Sequence, residues 1–502
     1  MKLSRREVIG KGGLAAAGLT LGITSPLKAL SRRGERAKNV IFCVVDGMPI
    51  QVMAMVDHFQ QIRDGKRSYW STLLDEPFVT NGLQDTRSLN SVVTDSSAAS
   101  SAWGSGRRIW NGQLNMYPDG TELKTLFQLV QDKGVRTGLV TTTRMTHATP
   151  AGFAVSCESR NLEGLIAEKY LSMNINVLMG GGDRFFSADR RQDKKDLYGG
   201  YRQAGYTVVN SKAELNAARG KLLGIFDDTH LPYTIDRINS TELSAKVPTL
   251  AEMTSKALSL LKDSSDGFLL QVEGGRVDHG GHSTDLAAMI YDQIEFEDAL
   301  KVVVDFALED EETLVIITAD HACGGPSLNG AGSNYDDSTA GLESVVRMKA
   351  SYDVIFAEIG RTPSANQVKD AIKKHLGIEL KNDEAEAVSR AADNDSPFKL
   401  GSFATGLYTT LAMVLGNYTK VVFTSGNHTN EHVLVTSLGP HSEMCAGLTE
   451  NTTFFDLMLA SYGIEHKNPV MSYEDAKKHR GGRIDDETMR LYCNLDPIDL
   501  AH

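Results

Sequence analysis

The segment Val93-Thr94-Asp95-Ser96-Ser97-Ala98-Ala99 joins capping residues to a hydroxyl and a run of small side chains. Asp95 or Thr94 can cap a helix by accepting backbone N–H bonds, and Ala98, Ala99, Ser100, Ser101 and Ala102 let a ligand approach the helix backbone closely. A serine in that first turn sits at the positive end of the helix dipole, which favours its alkoxide and attracts phosphate oxygens. The segment reads as a nucleophile turn. Elsewhere, metal-ligating residue types gather where apolar runs end. Asp46 follows one such run, Glu273 another and Asp320-His321 a third, while His147 and Thr149 lie in a loop after a fourth. Asp278 and His282, spaced i and i+4, share one face of a helical turn. Mixed imidazole and carboxylate donors suit zinc, whereas Asp46, Glu273 and the Thr149 hydroxyl form an all-oxygen set suited to magnesium.

The runs that must position these residues are Asn39 to Val45, Thr137 to Thr142, Asn176 to Met179, Phe268 to Val272 and Thr313 to Thr318. They are short and apolar or β-branched, the pattern of parallel strands buried on both faces. Helical stretches separate them: Lys124 to Lys133 stops at Gly134, and Leu286, Ile290, Ile294, Phe296, Leu300, Val303 and Ala307 mark a long amphipathic helix. The expected class is α/β, a doubly wound, mainly parallel sheet flanked by helices. Ligands bind such sheets beyond the carboxyl ends of the strands, where the candidate residues stand. Neighbouring side chains on a strand point to opposite faces, so Asp320 and His321 can share a metal only if the chain has left the sheet there. Gly180-Gly181-Gly182 lacks the context of a phosphate-binding loop and reads as a tight turn.

The 502 residues, 41% hydrophobic and 23% charged, suffice for one large α/β domain with insertions or for two domains. A net charge of −12 with no basic stripe argues against nucleic acid as a partner. The five cysteines are odd in number and lack CxxC spacing, so neither a disulfide framework nor a thiolate zinc site is indicated. Arg5-Arg6 before the apolar stretch Leu14 to Ile23 has the form of a twin-arginine export signal, with cleavage near Ala29 and no stable membrane span after processing. The expected location is periplasmic or secreted.

Asp46-Gly47-Met48, Thr94-Asp95-Ser96, Thr146-His147-Ala148-Thr149-Pro150, Val272 to His279 and Thr318-Ala319-Asp320-His321 resemble, in order, the signature blocks of alkaline phosphatases. The resemblance resumes near His428. It implies hydrolysis of phosphate monoesters through a phosphoserine on Ser96, with Arg160 gripping the substrate's oxygens. It further implies two zinc ions, one on Asp278, His282 and His428 and the other on Asp46, Asp320 and His321. One magnesium ion would be held by Asp46, Thr149 and Glu273, with His147 nearby through water. His147 and His279 stand where some relatives carry Asp and Lys. His432 competes with His428, which is preferred because it precedes the strand Val433 to Ser437. Family resemblance also favours a homodimer.

The expected division is an export signal over residues 1–29, a catalytic domain over 30–325 and 420–465, an inserted cap lobe over 326–419 and a C-terminal surface extension over 466–502. Within the lobe, Val368, Ile372 and Leu376 have helical spacing, and Asn382 caps a second helix to Ala391. A sulfatase of similar architecture would present C-x-P-x-R at the nucleophile, and this chain does not. A diesterase and a phosphate-holding binding protein are the rival readings.

Overall fold

Along Asn39–Val45 the side chains alternate between two separate cores, Ile41, Cys43 and Val45 facing one and Val40, Phe42 and Val44 the other. A strand apolar on both faces needs helices on both sides, and this one is β1, near the middle of a ten-stranded sheet. The computed structural model describes residues 36–391 and 406–479; the export segment expected over 1–29 lies outside them. The other strands are β2 (Val79–Asp85), β3 (Arg136–Arg144), β4 (Val177–Gly181), β5 (Tyr206–Val209), β6 (Lys221–Ile225), β7 (Phe268–Gly274), β8 (Thr313–Ala319), β9 (Val433–Leu438) and β10 (Gly447–Glu450). Their order is β10-β2-β9-β8-β1-β7-β3-β4-β6-β5. Within this sheet only β9 runs against its neighbours, β8 and β2. The fold is the doubly wound, mainly parallel α/β class that the alternating pattern implied.

Register decides which side chains meet at the carboxyl edge. Val45 of β1 lies opposite Gly274 of β7 and Ala319 of β8. The next residues, Asp46 and Asp320, therefore leave neighbouring strands side by side, at a strand spacing of about 4.8 Å. Glu273 lies opposite Val44 and, on its other side, opposite Thr141 of β3. One sheet edge thus collects three carboxylates.

The helices that bear on the site are α1 (Ile50–Asp64), α2 (Ser96–Ser105), α3 (Ala148–Ala154), α4 (Leu250–Leu261), α5 (Arg276–His282) and α6 (Leu286–Asp310). Asp285 caps α6, accepting from Ala288 N at 3.1 Å. Residues of α1, α4 and α6 fill one core, and Trp103, Phe127, Phe153, Ile166 and Phe454 lie in the other. Helices α2 and α3 touch along glycines: a Cβ on Gly104 would overlap the Gly152 carbonyl, and one on Gly152 would overlap the Ser100 side chain.

The described part of residues 326–419 contains α7 (Tyr352–Ile359), α8 (Ala365–Leu376), α9 (Asn382–Ala391) and α10 (Leu407–Thr419). Ser364 caps α8 in a capping box with Gln367. The apolar residues Ile355, Val368, Ile372, Val388 and Leu411 belong to the same core as α6, so the segment is packed onto the main body. Asp285 and Asp236 fasten it: Asp285 Oδ2 accepts from Tyr352 N at 2.6 Å, and Asp236 accepts from Ser351 N at 2.7 Å and Ser351 Oγ at 2.6 Å. Beyond β10 the chain packs along the end of α2, where Asn468 Nδ2 donates to the carbonyls of Ser105 and Lys124, each at 2.8 Å.

Candidate active site

Asp95 is the residue that caps α2. Its Oδ1 accepts from Ala98 N at 2.9 Å, and its Oδ2 accepts from Ser97 Oγ at 2.6 Å and Gly112 N at 2.8 Å. The cap therefore uses Asp95 and Ser97 and leaves Ser96, the first helical residue and 1% exposed, to face the strand ends. Ser96 Oγ lies 3.2 Å from His321 Nε2. Arg160 Nη1 lies 3.4 Å from Asp95 Oδ2 and its Nη2 lies 3.1 Å from His147 Nε2, so the guanidinium is anchored at both ends beside the serine turn.

His321 follows β8 after the strand has ended at Ala319, which releases Asp320 and His321 from opposite-face alternation. Its Nε2 faces Asp320 Oδ2 at 3.1 Å and Asp46 Oδ1 at 3.5 Å as well as Ser96 Oγ. Donors on a tetrahedral zinc with bonds of about 2.0 Å stand about 3.3 Å apart. The four atoms have that spacing around His321. Asp320 Oδ1 is already committed, accepting from Gly47 N at 3.0 Å and His321 N at 2.9 Å. Asp320 Oδ2 and Asp46 Oδ1 are buried with no hydrogen-bond partner, as a cation site requires.

A second group forms on α5, one turn of which carries Asp278 and His282 on the same face. His282 Nε2 lies 3.3 Å from Asp278 Oδ2 and 3.0 Å from His428 Nε2, and His428 Nε2 lies 3.6 Å from Asp278 Oδ1. Backbone carbonyls orient both rings through Nδ1: Gly426 O at 2.7 Å from His282 and Thr94 O at 2.8 Å from His428. The His321 and His428 rings stack at 3.6 Å, which joins the two groups. Cys323, unread as a candidate in the sequence, is a fourth residue here: one ligand atom from each of Asp278, His282, Cys323 and His428 lies within 4.8 Å of the others. His432 is exposed and outside the cluster. Gly47 is obligatory beside this group, because its φ is +68° and a Cβ there would overlap the Asp278 carboxylate.

The third group is Asp46, His147 and Glu273. Thr149 Oγ1 donates to Asp46 Oδ2 at 3.3 Å, and Thr143 Oγ1 lies 3.4 Å from Glu273 Oε2. A ring nitrogen of His147 lies within 4.8 Å of the donor atoms of Asp46 and Glu273. His279 points away from α5's ligands into a cluster of rings, 4.2 Å from His230 and 5.6 Å from His147, with its Nδ1 2.7 Å from Arg276 Nη1. His230 was also unread; its signal was the loop after β6, a strand too short to register as a buried run.

Four carboxylates with no lysine or arginine among them are costly to bury. Burial raises Asp46 well above the ordinary carboxylate range, and the charges of Asp320, Asp278 and Glu273 add to it. Burial likewise pushes Glu273 up to about 8 and Asp320 to about 7. Asp278 is held below its usual value, because His282 and then His428 outweigh its burial. Burial and the neighbouring His428 keep the His321 imidazole neutral, the form that ligates metal. Three donor groups, two of them sharing Asp46 and its surplus of buried carboxylate, fit a set of divalent cations.

Residues 37–463 match the family model described as alkaline phosphatase. Alkaline phosphatase 3 of Bacillus subtilis is 31% identical over 427 residues, spanning 83% of this chain and 87% of its own length. Alkaline phosphatase H of Pseudomonas aeruginosa is 30% identical over 64% of this chain and 76% of its own length. Among solved structures, Thermus thermophilus alkaline phosphatase superposes with a TM-score of 0.85 at 36% identity, covering 93% of this chain and all of that one. The chain belongs to the alkaline phosphatase family.

Proposed function

We propose that this enzyme hydrolyses phosphate monoesters through a phosphoserine on Ser96, with two zinc ions and one magnesium ion in the three donor groups. The observation that carries the reading is the position of Ser96 Oγ, at a helix N-terminus and 3.2 Å from a His321 Nε2 that also faces Asp46 and Asp320. The donor spacing and the unpartnered buried oxygens of Asp46, Glu273, Asp278 and Asp320 support bound cations. When bound, such ions supply positive charge that lowers the serine's pKa and neutralises phosphoryl oxygens.

The residues of the chain account for the rest. Arg160, fixed by Asp95 and His147, presents its planar fork to two phosphoryl oxygens and holds the ester in line with Ser96. Ser96 Oγ forms the bond to phosphorus as the bond to the leaving alcohol breaks, and water later cleaves the phosphoserine and restores the hydroxyl. The α2 N-terminus stabilises the anionic phosphoryl group throughout. Arg160, beside the Ser96 turn, adds a fixed positive charge that favours a doubly charged monoester over a singly charged diester.

Export by the twin-arginine route to the periplasm or beyond, and assembly as a homodimer, complete the reading; they rest on Arg5-Arg6 and on family resemblance. No helix among the described residues is long and apolar enough to cross a membrane. The test is steady-state hydrolysis of a nitrophenyl phosphate monoester beside the corresponding diester by the zinc- and magnesium-loaded protein. The expected result is a strong monoester preference. Diester preference would remove Arg160 from its role, and turnover of neither would leave a phosphate-holding binding protein.

A further inference from the structure

We propose that the buried ion pair Arg144–Glu163 is a positioning device for Arg160, holding its guanidinium beside the Ser96 turn; the inference rests on the reading of Arg160 as the group that grips the phosphoryl oxygens. Arg144 ends β3, and Glu163 opens the helix Glu163–Met173. The stretch between them carries His147, Thr149 and Arg160. Glu163 Oε1 accepts from Arg144 Nη2 at 2.7 Å and from Arg144 Nε at 3.0 Å. The two side chains are 5% and 3% exposed. The pair therefore closes, away from solvent, the one loop of chain that holds the expected phosphate grip.

Both arms of that loop lead to Arg160. On the first, Glu163 Oε2 also accepts from Thr146 Oγ1 at 2.5 Å, and the Arg144 carbonyl accepts from His147 N at 2.9 Å. These bonds fix the turn whose imidazole Nε2 lies 3.1 Å from Arg160 Nη2. On the second, Glu163 begins its helix shortly after Arg160, and Leu162 N donates to the Ser159 carbonyl at 3.3 Å, so little slack separates carboxylate from guanidinium. Arg144 reaches a further segment as well: its Nη1 lies 2.6 Å from Nε2 of His230, in the loop after β6.

Physical chemistry favours positioning over stability as the reason for the pair. A buried ion pair gains little net stability over apolar side chains of similar volume, because both charges lose their water. A guanidinium fork on a carboxylate does fix distance and direction between two segments, which apolar packing does less sharply. Arg160 needs that support. Its contacts with Asp95 and His147 are single and long, at 3.4 and 3.1 Å, so the aim of its fork depends on how firmly the chain beneath it is held.

The experiment uses the full-length, metal-loaded chain with Glu163→Ala, with the pair replaced as Arg144→Met plus Glu163→Leu, and with each change repeated in an Arg160→Ala background. The inhibition constant of inorganic phosphate is read beside KM and kcat for a nitrophenyl phosphate monoester, and the melting temperature checks folding. The paired replacement leaves no unpartnered buried charge and should keep the fold even where Glu163→Ala does not. The expected result is phosphate bound about 10- to 100-fold more weakly, KM rising more than kcat falls, and no further loss where Arg160 is already alanine. Unchanged phosphate affinity in the paired replacement would overturn the proposal, because packing alone would then hold Arg160. A loss of equal size in the Arg160→Ala background would overturn it too, by making the pair's effect independent of Arg160. Wild-type phosphate affinity in Arg160→Ala alone would instead remove the grip assigned to Arg160, and the inference with it.

Discussion

Ser96 is separated from its neighbour Ser97 by the hydrogen bonds that Ser97 makes, and this separation gives the residue-scale chemistry a sharp test. Ser97 Oγ is spent on Asp95 Oδ2, whereas Ser96 Oγ faces His321. Ser96→Ala should lower turnover by roughly three or more orders of magnitude, while metal analysis still finds the full complement. High activity in that variant would move the nucleophile to Ser97 or end the covalent mechanism. His147 leads to a second expectation. An imidazole beside Asp46 and Glu273 makes the third group softer than magnesium prefers, so zinc should compete there. His147→Asp should shift that site toward magnesium, seen as a higher magnesium-to-zinc ratio after dialysis against both; an unchanged ratio would place His147 outside the coordination. Asp46, Asp320 and His321 were legible because each ends or follows an apolar run, but nothing in one dimension showed that Asp46 and Asp320 leave adjacent strands in register. Cys323 escaped notice for a related reason. Its partners are distant in sequence and CxxC spacing cannot find them, although its place two residues after His321 was visible.

At the scale of elements, the capping signals were more informative than the strand pattern at the sheet's margins. Ser364 before α8 marks a helix start by simple backbone chemistry, and β1 spans the run expected from its apolar residues, whereas the helix expected over Lys124 to Lys133 forms over Leu126–Gln131, short of the turn at Gly134. The strands β2, β5 and β6 carried no such run. Val79–Asp85 contains Asn81 and Gly82 and is largely unburied, and β5 and β6 have only four and five residues. Asp285 shows how an element end does two things at once. It caps α6 and, with its other oxygen, accepts from the first helical N–H of α7. Asp285→Ala should cost about 2–4 kcal/mol, combining a lost cap with an unpaired buried N–H. The denaturant midpoint is the measurement, and an unshifted midpoint would mean that Asp236 and Ser351 alone fasten the start of α7.

For the molecule as a whole, the decisive quantity is the charge it buries at the sheet edge. In the metal-free chain Asp46, Asp320 and Glu273 are all raised above the ordinary carboxylate range of about 4, Asp320 to about 7 and Glu273 to about 8. A raised carboxylate binds more protons folded than unfolded, so it favours the fold at low pH and loses that contribution as pH climbs through its folded value. The chelated protein should therefore lose stability progressively between about pH 4 and pH 8. Asp278, held low by His282 and His428, titrates the opposite way and only below that window. Bound cations hold all four carboxylates ionised and remove the loss. Calorimetric melting temperatures of metal-loaded and chelated protein should thus diverge steadily from pH 5 to pH 8, the loaded form being the higher. Parallel curves would show that the buried carboxylates are not where the metals bind, whereas divergence ties the fold's stability at alkaline pH to the cations its chemistry requires.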